Sequence, residues 1–220
     1  MFGLGSLDLT QIAIIIVSFI IAVTVHEFMH AWTAWKLGDD TARLLGRISL
    51  NPVDHFDPVG FLMFILIALG FPAIAWGKPV PVNTSGLRPL GRFGRHGSMA
   101  LVSLAGPLSN VALGIAAALS LRLAAANPNS IPQLDYALML FMQINFLLAA
   151  FNMIPIPPLD GSRILAAILP DFWRPLLAQL DRYGFMLLLL LILFGSVGGA
   201  ILSGISGPPF ALLMRLFAPA

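Results

Sequence analysis

Thr24-Val25-His26-Glu27-Phe28-Met29-His30-Ala31-Trp32-Thr33-Ala34-Trp35-Lys36-Leu37 is the stretch from which both the fold and the chemistry are read. His26 and His30 stand four residues apart, so on a helix their imidazoles lie one turn above each other on one face. There both can bind one tetrahedral Zn²⁺. Glu27 sits beside them as a candidate base. These are two of only four histidines, and Glu27 is the only glutamate in the chain. A chance HExxH on a soluble helix carries nothing. Here, however, the preceding run from Ile12 to Val25 is almost wholly apolar, and an ionisable side chain inside a membrane helix is by default functional.

The composition agrees with a membrane setting. Of the 220 residues, 58% are hydrophobic and only 10% charged, and the mean hydropathy is +0.91, far from the mix of a soluble domain. We therefore expect an all-α polytopic membrane protein with a single transmembrane domain over 1–220, its core at 9–170. The net charge is +2, but the basic residues sit in short connections between apolar runs and form no patch, so no nucleic acid is expected as a partner. The chain has no cysteine, which leaves His, Asp and Glu as the side chains that can hold zinc. Residues 1–9 lack a positive n-region and the apolar run after them holds the candidate metal motif, so a cleaved signal peptide is not expected.

Residues 9–37 read as one helix of about 43 Å at 1.5 Å per residue, enough to cross the hydrocarbon and emerge. Residues 38–57 read as a polar loop. His55 lies there near Asp54 and Asp57 with no second ligand in register, and reads as a local hydrogen-bonding residue. The apolar run 59–76 is interrupted by Gly60, Gly70 and Pro72, and its clean part, Phe61 to Leu69, is too short to span. The alternating prolines of Trp76-Gly-Lys-Pro-Val-Pro-Val-Asn83 then force an extended backbone. His96, among Arg88, Arg92 and Arg95, reads as a loop residue. Two further spans are expected at 98–126 and 133–152, joined by a turn at 127–132, and a fourth at 184–204. An amphipathic piece at 172–183 precedes the fourth, and 208–217 reads as a short interfacial tail.

Between the third and fourth spans comes Ile154-Pro155-Ile156-Pro157-Pro158-Leu159-Asp160-Gly161. Three prolines in four positions cannot continue a helix, so the backbone must unwind close to membrane depth, where protein or water has to surround it. Asp160 there can cap the next helix, or can complete a His-His-carboxylate site with an open fourth position. The second role is weighed above the first.

Topology constrains this idea. For Asp160, just past the third span, to meet His26 and His30 at the far end of the first, those two helices must run in the same direction. Exactly one full crossing must then lie between them, so 59–76 has to be a re-entrant half-helix with the extended segment 73–83 returning. On that topology Lys36, Arg43, Arg47, Lys78, Arg88, Arg92, Arg95, Arg163, Arg174 and Arg182 share one side, against Arg122 and Arg215 on the other. The bias places the metal site toward the cytoplasmic face.

With those residues assembled, the sequence resembles the site-2 protease family of intramembrane zinc metalloproteases. HEFMH in an apolar helix, Ala105-Gly-Pro-Leu-Ser-Asn110, and Asn152-Met-Ile-Pro-Ile-Pro-Pro-Leu-Asp160-Gly carry the resemblance. Gly46-Arg-Ile-Ser-Leu-Asn-Pro-Val-Asp-His-Phe-Asp-Pro-Val-Gly60 and Trp76-Gly-Lys-Pro-Val-Pro-Val82 are similar to its small prokaryotic branch. The resemblance covers about residues 20–170. It implies one Zn²⁺ per chain on His26, His30 and Asp160, with Glu27 as catalytic base. It also implies a contact of Asn152 with the substrate or the reacting carbonyl. The segment 76–82, with Lys78, Val80 and Val82, is implied to pair with an unwound substrate. The expected partners are the lipid bilayer and a transmembrane protein substrate, in a prokaryotic plasma membrane, and no PDZ or CBS appendage is expected. Two other classes stay open: a catalytically inactive membrane scaffold, and an ion or solute carrier.

Overall fold

The computed structural model describes residues 9–68, 75–125, 131–193 and 195–219. Eight helices occur among them: α1 (Leu9–Lys36), α2 (Thr41–Leu44), α3 (Pro58–Ala68), α4 (Gly94–Ala125), α5 (Pro132–Asn152), α6 (Asp160–Ile168), α7 (Arg174–Leu193) and α8 (Gly195–Phe217). No strand is present among the described residues. Stretches of α1, α4, α5 and α8 are long and apolar enough to cross a bilayer. The chain is an all-α, multi-pass integral membrane protein.

The first three spans form the frame of the site, and their directions follow from what touches what. Ile15 of α1 and Leu140 of α5 share one apolar cluster, and further along both helices Asn110 bridges the Ala22 carbonyl to Asn145. α1 and α5 are therefore parallel, as the convergence of His26, His30 and Asp160 requires. α4 runs the other way, with Val102 beside His30 and Asn110 beside His26. Close approach between α4 and α5 depends on Gly114: a Cβ there would overlap the ring of Phe146, which is fully buried.

The re-entrant reading of 59–76 agrees with the described part of that run. α3 is only 11 residues long and enters far enough for Phe64 to stack on Phe19, with ring centroids 3.9 Å apart. The chain then returns to where it left. The Lys78 N–H donates to the His55 carbonyl at 2.9 Å, and a Cβ on Gly60 would collide with the Trp76 carbonyl. Residues 75–83 carry no helix until Thr84, as the prolines demand. The interruption at Gly70 and Pro72, the start of the 73–83 segment and most of the expected turn at 127–132 lie outside the described residues.

The carboxyl-terminal part differs from the expectation. Instead of one span at 184–204, α7 ends at Leu193 and α8 begins at Gly195, and Leu188 and Leu202 pack in one cluster with Ile154 and Leu159. The chain thus reverses inside what reads in sequence as a continuous apolar run. Gly195, Gly198 and Gly199 open α8, and an average over apolar residues conceals their low helix propensity. Residues 208–217 are likewise not an interfacial tail. They form the second half of α8 despite Pro208 and Pro209, and Phe210, Leu213, Met214 and Phe217 pack against Ala117 and Phe146. α8 therefore runs antiparallel to α5 and supplies the fourth span.

Candidate metal centre

His26 and His30 occupy the second half of α1 on one face, both buried, with ring centroids 4.6 Å apart and planes nearly perpendicular. Asp160 is the first residue of α6, immediately after the proline break. Its Oδ2 lies 3.1 Å from His26 Nε2 and 3.3 Å from His30 Nε2. The N-cap of α6 is Leu159, and the Asp160 carboxylate, one residue on, is turned toward the imidazoles. The structure thus brings together three side chains separated by as many as 134 residues.

The hydrogen bonds on the far side of the rings decide what this cluster can hold. His26 Nδ1 donates to Asn110 Oδ1 at 2.6 Å and His30 Nδ1 donates to the Val102 carbonyl at 2.7 Å. With both Nδ1 atoms carrying the proton, each ring in its neutral form presents an Nε2 lone pair to Asp160, and three acceptors then face one another. A cation is what such an arrangement accommodates. Around a tetrahedral zinc with ligand bonds near 2.0–2.2 Å, neighbouring ligand atoms stand roughly 3.3 Å apart, close to the two separations found here. The donor set of two imidazoles and one carboxylate fits zinc, and these three residues are able to hold it.

The supports around the cluster come from α4. Asn110 is wholly buried and fully used: it accepts from His26 and donates to the Ala22 carbonyl at 3.1 Å and to Asn145 Oδ1 at 2.9 Å. Asn145 is pinned in turn by its own bond to the Phe141 carbonyl. Pro107 removes the N–H that the Ser103 carbonyl would otherwise bind, loosening the turn in which the neighbouring Val102 carbonyl meets His30. Gly106 has to be glycine, since a Cβ there would stand 2.5 Å from His30 Nε2 and 2.7 Å from His26 Cε1. Sequence reasoning registers the Ala-Gly-Pro-Leu-Ser-Asn run but assigns these residues no part in the centre. The one signal pointing to Asn110 is a carboxamide within an apolar helix.

Glu27 faces the same cavity, of about 400 Å³, which the three clustered residues line together with Trp76, Asn152 and Arg163. Its Oε2 accepts a hydrogen bond from the Val80 N–H at 3.2 Å. Val80 and Val82 line the cavity, whereas the Lys78 side chain is exposed outside it. Asn152 donates to the Leu148 carbonyl of its own helix at 2.9 Å. His55 is away from the cluster, with Nε2 donating to the Ser49 carbonyl at 2.7 Å and Nδ1 facing Arg47. His96 is exposed in the first turn of α4 rather than in a loop, and far from any ligand role.

Four apolar spans around a buried pair of histidines and one carboxylate define a polytopic membrane protein with a candidate zinc centre. Comparison with known proteins agrees. The family model described as peptidase family M50 matches residues 123–195. The chain is 35% identical over 187 residues to "Putative zinc metalloprotease YwhC" of Bacillus subtilis, covering 80% of this chain and 78% of that one. It is 30% identical over 187 residues to "Putative zinc metalloprotease Rip2" of Mycobacterium tuberculosis, with 84% and 68% covered. It is 32% identical over 143 residues to "Zinc metalloprotease MJ0392" of Methanocaldococcus jannaschii, with 61% and 41% covered. No solved structure matches. The chain belongs to peptidase family M50, the site-2 protease family.

Proposed function

We propose that this protein is an intramembrane zinc metalloprotease that hydrolyses peptide bonds in or near the transmembrane segments of membrane-protein substrates. The observation that carries the reading is the convergence of His26, His30 and Asp160, with Glu27 beside them, in a cavity within a bundle of membrane helices. One zinc ion per chain would be held by the two imidazoles and the carboxylate. When bound, it supplies Lewis acidity toward a peptide carbonyl and acidifies water.

The chain's own groups account for the rest. Glu27 takes a proton from the attacking water and returns it to the leaving nitrogen. Asn110 and the Val102 carbonyl keep each imidazole in the tautomer that leaves Nε2 free. Asn152, on the cavity wall, contacts the reacting carbonyl. The extended segment 76–82 pairs with a stretch of substrate that has left its helical state. Pro79 and Pro81 contribute no N–H and the amides of Lys78 and Val80 are bound to His55 and Glu27, so among the described residues the amide left for pairing is that of Val82, whose side chain lines the cavity with that of Val80. The distribution of lysine and arginine supports a site toward the cytoplasm, and the bacterial relatives support a prokaryotic plasma membrane.

The test is cleavage of a co-expressed transmembrane substrate by the wild-type protein and by Glu27→Gln, with zinc measured in both. The reading predicts that the variant keeps its zinc and loses cleavage. An inactive scaffold shows no cleavage in either protein, and a carrier keeps its flux in the variant.

A further inference from the structure

Arg47 lies outside the candidate centre, yet among the described residues it is a buried cation. It is 7% exposed and, among the described residues, makes no ion pair with a carboxylate. A buried guanidinium without a counter-ion is costly unless its donors are placed. Here the two terminal nitrogens go to the extended segment, while Nε is buried without a hydrogen-bond partner among the described residues. Nη2 donates to the Lys78 carbonyl at 2.5 Å and Nη1 to the Pro79 carbonyl at 3.3 Å, while Nη2 also faces His55 Nδ1 at 3.5 Å.

The segment it holds has few ways of being held otherwise. Between Lys78 and Val82 there are three backbone N–H groups, because positions 79 and 81 are proline. The N–H of Lys78 is bound to the His55 carbonyl and that of Val80 to Glu27, which leaves Val82 as the one without a partner among the described residues. Arg47 and His55 therefore anchor residues 78 and 79 through both carbonyls and one amide. The next amide along is the one that meets the candidate base.

We propose that Arg47 is a positioning residue for the reaction: its guanidinium grips two successive carbonyls of the 78–82 segment and so holds the Val80 N–H against Glu27. The inference rests on the protease reading for its catalytic half only. The planar fork of arginine spans two carbonyls in fixed geometry, which the single ammonium of lysine does not reproduce. Val80→Pro is the matching change at the other end, since proline fits the extended backbone between two prolines and removes the N–H while keeping an apolar side chain on the cavity wall.

The experiment has two readouts. The chain has no cysteine, so spin labels at Lys78→Cys and Leu44→Cys, both exposed, report the position of the segment in protein that need not be active. The parent should give a narrow distance distribution, and Arg47→Ala and Arg47→Lys a broad one. In the cleavage assay, Arg47→Ala should lower kcat/KM by roughly tenfold to a hundredfold with zinc content unchanged. The double variant Arg47→Ala, Val80→Pro should be no slower than Val80→Pro alone. If Arg47→Ala does not fold, Arg47→Lys carries both readouts. An unchanged distance distribution overturns the proposal, as do independent multiplying effects of the two substitutions. A segment that loosens in a protein that never cleaves refutes the protease reading and leaves the clamp standing.

Discussion

Replacing Asn110 by alanine is expected to uncouple the metal centre from the helix that supports it. The side chain is completely buried and makes three hydrogen bonds, of 2.6, 3.1 and 2.9 Å. Its loss orphans His26 Nδ1–H and Asn145 Oδ1, while the Ala22 carbonyl keeps its place in the ladder of α1. Each orphaned group costs about 1–3 kcal/mol, so the folded state should lose about 2–6 kcal/mol. The effect on the metal is more specific. Without an acceptor on Nδ1 the ring is free to turn or to change tautomer, and zinc affinity should fall by about ten- to a hundredfold. Asn110→Asp keeps an oxygen against Nδ1 and should retain affinity within a few-fold, although it still loses the donor to Asn145. The assay is zinc competition against a graded chelator in detergent, with thermal unfolding followed in parallel. Affinity unchanged in Asn110→Ala, or equal loss in the alanine and aspartate variants, would refute the reasoning about the His26 tautomer.

Three other changes separate support from chemistry. Gly106→Ala places a methyl 2.5 Å from His30 Nε2 on a ring whose other nitrogen is tied to Val102. It should cost about 1–3 kcal/mol and lower zinc occupancy, read by metal analysis after dialysis. Gly114→Ala forces α4 away from Phe146 and should lower the unfolding temperature by a similar overpacking cost while leaving zinc content intact. Asn152→Ala removes a cavity-lining side chain whose one hydrogen bond is to its own helix. Zinc content and stability should stay near wild type while cleavage falls roughly a hundredfold.

Much of this arrangement is legible in the sequence, for identifiable reasons. The spacing of His26 and His30 is a property of one helix, so it survives any error in tertiary reasoning. Asp160 is legible because carboxylates are scarce in the apolar part of the chain and because the proline break leaves α5 no way to continue past it. The re-entrant course of 59–76 follows from requiring α1 and α5 to be parallel. His55 can be placed outside the centre because nothing is spaced with it, and its ring is in fact engaged by Ser49 and Arg47.

What the sequence does not reveal depends on the rotation and depth of one helix against another. Asn110, Val102 and Gly106 matter only because α4 crosses α1 at the level of the histidines, and no local pattern encodes that level. The Val80 amide is an instance of the same limit, since a backbone group leaves no mark in composition. The carboxyl-terminal helices are misread for a different reason. In an apolar run of about twenty residues, hydropathy is the same for one span as for the reversal between α7 and α8. The glycines that permit the turn are common in straight membrane helices too.

The central claim is that two imidazoles from α1 and one carboxylate from the start of α6 hold a single zinc ion. Metal analysis of the purified wild-type protein beside Asp160→Ala tests it most directly. The account predicts close to one zinc per wild-type chain and its loss from a variant that remains folded. Equal zinc in the two proteins, or a wild-type protein that takes up none when zinc is supplied, would contradict it.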